Sequence, residues 1–173
     1  ITVAPTANTT YTVTATNASG CTATANRAVT VNTLPTPNVT GTNTICNGQS
    51  TTLTAAGGVS YLWSSGQNTA VITVAPTANT TYTVTATNAN GCTATANRAI
   101  TVNALPTPAI TGTNVICNGQ STTLSATGGT SYIWSNGQTI TPITVFPTAN
   151  TTYTLTATNA AGCTATASRT VTV

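Results

Sequence analysis

Five cysteines and three arginines are the side chains with most chemistry to offer in this chain: Cys21, Cys46, Cys92, Cys117 and Cys163, with Arg27, Arg98 and Arg169. A thiol can act as a nucleophile, a metal ligand or half of a disulfide, and its neighbours decide which. Here they exclude the first two. The chain contains no Asp, Glu, His, Lys or Met. General acid–base catalysis needs a carboxylate, imidazole or amine of tuned pKa, so a Cys or Ser nucleophile has no base to activate it. Zinc needs a Cys/His cluster and calcium needs several carboxylate oxygens, so no metal and no other cofactor is expected. Lys–Asn isopeptide cross-links require a lysine and an acidic neighbour, and they are excluded too. Three arginines form no basic patch, so nucleic acid is not an expected partner. The disulfide remains, and with it an oxidising, extracellular setting. A non-enzyme is predicted.

The spacing of these residues is as informative as their type. Cys21, Cys92 and Cys163 recur at 71 residues, and so do Arg27, Arg98 and Arg169, and Tyr11, Tyr82 and Tyr153. Residues 32–102 and 103–173 are two full copies, about three-quarters identical, and residues 1–31 match the end of a third. A fixed period of near-identical units signals one supersecondary unit in series, which favours reach and mechanics as a function. The domains expected are therefore 1–31, the C-terminal part of a first repeat, then 32–102 and 103–173. The chain opens partway through a unit, at Ile1-Thr2-Val3, which reads as a window on a longer protein.

The elements that must position these residues follow from local pattern. Residues 32–37 are a proline-punctuated linker, and proline stiffens such a joint. A first strand is predicted at 38–41, with a tight type I′ reversal at Asn47-Gly48. Residues 50–56 alternate around Leu53, Gly57-Gly58 break the pattern, and Ser60-Tyr61-Leu62-Trp63-Ser64 forms a third strand. Strands follow at 70–74, at 81–87 and, beyond a hairpin at Asn90-Gly91, at 92–102. Short strands, frequent turn signals and no helical periodicity describe an all-β chain of sandwich domains. Trp63 on the third strand and Tyr82 past a proline corner sharpen this to an immunoglobulin-like sandwich, with Leu53 facing Val84 across the core. The same core positions in the next copy are Leu124, Trp134, Tyr153 and Leu155. The array predicted is linear. No apolar run is long enough to span a membrane.

At these residues the sequence resembles the tandem immunoglobulin-like repeats of very large secreted proteins of Bacteroidota, including gliding-type surface adhesins exported by the type IX system. The shared phrases are Ile45-Cys46-Asn47-Gly48, Ser60-Tyr61-Leu62-Trp63-Ser64, Ile72-Thr73-Val74 with Pro76, Thr80-Thr81-Tyr82-Thr83-Val84 and Asn90-Gly91-Cys92-Thr93. The resemblance covers the whole chain and implies a spacer or adhesive stalk. The family often carries Asp near the Asn90-Gly91 hairpin. This chain has none, so calcium stiffening does not carry over.

A domain of about 70 residues buries little apolar surface, so a covalent staple is expected. Two pairings stay open. Cys46 with Cys92 and Cys117 with Cys163 would close each unit internally, contributing roughly 4 kcal/mol by loop entropy. In a strict immunoglobulin order, however, Cys46 and Cys92 sit at opposite ends of about ten residues of strand, roughly 30 Å apart. A disulfide needs Cα atoms within about 7 Å. The other pairing joins Cys46 to Cys163 between neighbours, leaving Cys21, Cys92 and Cys117 to partners in other units. Arg98 shares strand parity with Ile100 and Val102 and so points inward. With no carboxylate available, Arg27, Arg98 and Arg169 are read as structural residues that bond carbonyls, stack on an aromatic such as Trp63 or Tyr61, or leave through a bulge.

Two functions compete on this evidence. One is a structural stalk or filament segment of a secreted bacterial surface protein, partnered by neighbouring copies of itself. The alternative is a glycan- or surface-binding module, using exposed threonine rows (Thr83, Thr85 and Thr87 beside Thr93 and Thr95) and the rings of Tyr61 and Tyr132.

Overall fold

The computed structural model describes residues 1–173, and every regular element in it is a β-strand. The first copy contributes β1 (Thr9–Thr16) and β2 (Thr22–Val29). The second contributes β3 (Asn38–Thr40), β4 (Thr44–Cys46), β5 (Thr51–Ala56), β6 (Ser60–Trp63), β7 (Val71–Val74), β8 (Thr80–Thr87) and β9 (Thr93–Asn103). The third contributes β10 (Ala109–Thr111), β11 (Thr122–Thr127), β12 (Ser131–Trp134), β13 (Ile143–Val145), β14 (Thr151–Thr158) and β15 (Thr164–Val171). The strands form because β-branched residues alternate with small or apolar ones over short stretches, which suits a pleated surface buried on one side.

The chain divides into two compact units, and the division falls inside the second copy. The first unit comprises Ile1–Thr40, Thr54–Ile72 and Tyr82–Arg98. In it β1 and β2 form an antiparallel hairpin with Tyr11 opposite Arg27. Strand β3 pairs antiparallel with β5, Val39 opposite Ala55, and β6 pairs antiparallel with β8, Trp63 opposite Val84. Trp63 is buried, and its indole Nε1 donates to the Thr69 carbonyl at 2.9 Å, the partner a buried indole requires.

The second unit comprises Gly41–Leu53, Thr73–Thr81 and Ala99–Val173. It contains the whole third copy, which is a sandwich of two three-stranded sheets, β10-β11-β13 and β12-β14-β15. Leu124, Ala126, Ile143 and Val145 from one sheet meet Trp134, Tyr153, Leu155 and Val171 from the other in a single core. Burying each of the Leu, Ile and Val side chains contributes about 1.5–3 kcal/mol. Trp134 repeats the indole bond of Trp63, to the Ile140 carbonyl at 3.0 Å.

Leu53, Trp63, Val84, Leu124, Trp134, Tyr153 and Leu155 are buried. Tyr82 is only half-buried. The tyrosine hydroxyls tied to backbone are those of Tyr61 and Tyr132, each donating to the glycine carbonyl three residues upstream, at 2.9 Å for Gly58 and 2.8 Å for Gly129.

The reversal expected at Asn47-Gly48 is corrected by the structure. A type I′ turn requires positive φ at both central residues. Only Gly48 has it, at 85°, and Gln49 N–H bonds the Cys46 carbonyl at 3.0 Å, which is the pattern of a type II turn. No hairpin forms there. Strand β4 runs parallel to β9, with Thr44 opposite Thr101 and Cys46 opposite Asn103, whereas β5 pairs with β3. The turn moves the chain from one pairing to another. In the third copy the same change of partner is prepared at Gly112, where φ is 131° and a Cβ would lie 2.2 Å from the Thr123 carbonyl oxygen. Only glycine fits. Beyond it, Val115 bridges in parallel to Thr172.

Candidate functional site

The chemistry of the chain converges on two turns that meet beside Asn103 and Ala104. The first is the hairpin between β14 and β15. Its turn is closed by Gly162 N–H donating to the Asn159 carbonyl at 3.0 Å. The Asn159 side chain then does three things at once. Its Oδ1 accepts from the N–H groups of Ala161 and Cys163, both at 3.0 Å, and its Nδ2 donates to the Ala104 carbonyl at 2.8 Å. One amide thus fixes the shape of the hairpin and its seat against the segment after β9.

The second turn is the one after β4. The parallel pairing of β4 with β9 ends at Cys46 opposite Asn103, and Asn47 N–H donates to the Asn103 carbonyl at 2.9 Å. Consecutive carbonyls therefore hold the two cysteine-bearing turns side by side. The result is a disulfide between Cys46 and Cys163, with Cα atoms 5.6 Å apart and 117 residues between them in sequence. Cys163 is 1% exposed. Cys46 belongs to the 32–102 copy and Cys163 to the 103–173 copy. Cys21 and Cys117 are exposed free thiols and Cys92 is a half-buried one, so Cys46–Cys92 and Cys117–Cys163 are not formed.

Arginine makes the second contact of interest. Arg169 reaches from β15 to the kink, its Nη2 donating to the Gly112 carbonyl at 2.6 Å, while its Nε is buried without a hydrogen-bond partner. It stands directly opposite Tyr153, so the two side chains share a face. Arg98 is half-buried on the same face of β9 as Ile100, and Arg27 is exposed. In a chain without carboxylates a carbonyl is the available acceptor, and here it braces the residue at which the strand changes sheet.

The other candidate groups are less well placed for binding. Tyr61 and Tyr132 are half-buried, with hydroxyls engaged at Gly58 and Gly129, and Tyr132 packs against the core. Thr83, Thr85 and Thr87 were expected to be exposed and are half-buried, because β6 lies alongside them with Leu62 opposite Thr85; Thr93 and Thr95 are exposed. An open apolar cleft runs along the first hairpin, lined by Ile1, Tyr11, Val13, Ala25 and Arg27. The equivalents of Tyr11 and Val13 in the third copy are Tyr153 and Leu155, which are buried in the core there.

Sequence reasoning missed Asn159. The hairpin signal was read at Asn90-Gly91, but that Asn is Ser19 in the first copy and Ala161 in the third. The residue that shapes the turn lies two positions earlier and is Asn in all three copies. Asn17 accepts from Ser19 and Cys21, and Asn88 accepts from Asn90 and Cys92 and donates to the Thr33 carbonyl at 2.8 Å. Its invariance within the chain was the available signal.

No protein-family model matches the chain, and no curated protein does. Among solved structures it is similar to a Ca2+-stabilized adhesin that helps an Antarctic bacterium bind ice, at 18% identity and a TM-score of 0.40, covering 94% of this chain and 55% of that one. The chain thus spans about half the length of that structure. It is also similar to a 1.5-MDa bacterial ice-binding adhesin, at 15% identity, with a TM-score of 0.36 and coverage of 94% and 72%. A third is the Bacteroides ovatus protein SGBP-B in complex with a mixed-linkage heptasaccharide, at 18% identity, with a TM-score of 0.27 and coverage of 95% and 54%. The all-β architecture stands on the strands of this chain.

Proposed function

We propose that this chain is a non-enzymatic stalk or filament segment of a long secreted bacterial cell-surface protein of the adhesin type. It gives reach and mechanical stability, in the manner of the tandem immunoglobulin-like repeats of Bacteroidota proteins exported by the type IX system. The observation that carries the reading is the Cys46–Cys163 bridge, seated on the carbonyls of Asn103 and Ala104. A disulfide supports an oxidising, extracellular setting for such a segment. The bridge also reroutes tension. Force passing along the chain crosses directly from Cys46 to Cys163, so the residues between them are shielded from extension. The lack of Asp, Glu, His and Lys leaves such a segment no acid–base catalyst.

Single-molecule stretching tests this reading. The bridge encloses 117 residues of sequence separation, and at roughly 3.3–3.6 Å per residue its reduction should release about 400 Å of additional contour length. Equal extension with and without reductant would remove the mechanical role. The glycan-binding alternative keeps only the outward threonines, such as the hydroxyl pair Thr152–Thr170 at 2.8 Å. The tyrosines that first suggested it are occupied.

A further inference from the structure

We propose that the turn after β4 is a site of spontaneous chemical modification, at which Asn47 cyclises onto the backbone nitrogen of Gly48, loses ammonia and becomes aspartate or isoaspartate. The reaction needs water and no enzyme. It is independent of the stalk reading, and it concerns four Asn-Gly pairs that the sequence makes equivalent and the fold does not.

The pairs are Asn47-Gly48, Asn90-Gly91, Asn118-Gly119 and Asn136-Gly137. Every residue in them is exposed, so access to water does not separate them. The glycine nitrogen does. An amide nitrogen attacks only after losing its proton, and a proton already donated to a carbonyl is withheld from base. Gly91 N–H donates to the Asn88 carbonyl at 3.0 Å, and Gly137 N–H donates to the Trp134 carbonyl at 2.9 Å. The Asn136 side chain is held as well, its Nδ2 donating to Gln138 Oε1 at 2.9 Å and its Oδ1 accepting from Gln138 N–H at 3.2 Å. The turn after β4 is closed one residue later, by Gln49 N–H on the Cys46 carbonyl at 3.0 Å, so Gly48 N–H has no acceptor. Nothing lies within 4 Å of where a Cβ of Gly48 would stand, so the approach to its nitrogen is open. Asn118-Gly119 repeats this turn, with Gln120 N–H on the Cys117 carbonyl at 3.0 Å. Asn47 is exposed even beside the closed Cys46–Cys163 bridge, so its exposure belongs to the joint itself.

Hydroxide removes the Gly48 amide proton, and the nitrogen attacks Asn47 Cγ. A bond forms between them, the Cγ–Nδ2 bond breaks, and ammonia leaves with a proton from water, giving a cyclic imide. Water then opens the ring at one of its two carbonyls. Opening at Cγ gives aspartate, and opening at the backbone carbonyl gives isoaspartate, whose main chain runs through the former side chain. No oxidant or reductant is involved. Either product puts a carboxylate into a chain that has none on its side chains and a formal net charge of +3. Isoaspartate also adds a carbon to the main chain inside the turn, one residue from the bridge cysteine.

The test incubates the full oxidised chain in mildly alkaline buffer and follows the mass gain at each asparagine by tryptic mapping with fragment-ion sequencing. Trypsin cuts after the three arginines, so peptide 28–98 carries Asn47 and Asn90, and peptide 99–169 carries Asn118 and Asn136. Each peptide thus holds one reactive and one protected pair. In the folded chain Asn47 and Asn118 should react about fivefold faster than Asn90 and Asn136, the factor for breaking one backbone hydrogen bond first. Both aspartate and isoaspartate should appear, since the ring opens either way. In urea with reductant the four rates should converge. Asn47→Gln should abolish the change at residue 47 and leave the rate at Asn118 as it was. Equal rates at all four sites in the folded chain, faster reaction at Asn90 or Asn136, or aspartate as the sole product would overturn the proposal. So would a folded chain that stays unmodified at Asn47 while the unfolded one reacts.

Discussion

Arg169 and Gly112, 57 residues apart in sequence, are joined by a 2.6 Å hydrogen bond from guanidinium to carbonyl. The bond falls just past the end of β10, where the chain leaves that sheet on its way to the parallel bridge of Val115 with Thr172, and it gives the Gly112 carbonyl a donor. Hydrogen bonds from charged donors contribute about 1.5–3 kcal/mol. Arg169→Met keeps much of the apolar stem and removes the donor. It should lower stability toward chemical denaturant by about 1–2 kcal/mol. Gly112→Ala should cost more, about 2–4 kcal/mol, since its Cβ meets the Thr123 carbonyl and its φ suits only glycine. If Gly112→Ala were as stable as the parent, the kink would not be the fixed point described here.

Stability should also fall when the bridge is opened. A loop of this length stabilises by about 4–5 kcal/mol in the chain-entropy account. Cys46→Ser is the better variant, because Cys46 is half-buried whereas Cys163 is fully enclosed. In urea titrations the reduced parent and Cys46→Ser should unfold together, well below the oxidised parent. Reductant should have no further effect on the variant. Coincident curves for oxidised and reduced parent would show that the bridge contributes no stability.

Asn159→Ala should cost about 1–3 kcal/mol, because three hydrogen bonds at the hairpin are lost together. Ala161→Asn, which restores the residue found at the same place in the second copy, should change stability by no more than about 0.5 kcal/mol. Thermal unfolding of the two variants side by side checks the contrast. A large effect at residue 161 with none at 159 would reverse the assignment of the turn.

Much of the architecture was legible because period-two alternation is a local signal. Leu53, Trp63 and Val84 are buried as their alternation requires, and the corresponding residues of the third copy are buried too. What the sequence did not reveal depended on partners distant along the chain. Asn47-Gly48 reads locally as a hairpin, yet the strand before it pairs with β9, more than fifty residues on, and this pairing selects the turn. Alternation pointed Arg98 inward, and by the repeat Arg169 with it, but could not choose an acceptor, because the Gly112 carbonyl lies 57 residues away in sequence. The cysteines behaved likewise. Their spacing left two pairings open, and the seat on Asn103 and Ala104 is a tertiary feature that no residue spacing encodes.

The last prediction concerns pH and salt, and it follows from residues the chain lacks. Stability varies with pH only where the folded and unfolded states bind different numbers of protons. The side chains that ordinarily titrate between about pH 3.9 and 6.5 are Asp, Glu and His. The chain has none of them. Proton uptake on unfolding is therefore close to zero across this interval, and the slope of stability against pH vanishes with it. The urea midpoint should be flat from about pH 4.5 to 6.5, where proteins that rely on paired carboxylates begin to lose stability as the pH falls. Salt should matter as little, because no side-chain carboxylate is present to form an ion pair that ions could screen. Denaturant titrations across that interval, each at low and high ionic strength, check both statements. A midpoint that falls with acid would require a titrating group that the composition does not supply. A flat one would leave stability resting on apolar burial, backbone hydrogen bonds and the Cys46–Cys163 bridge.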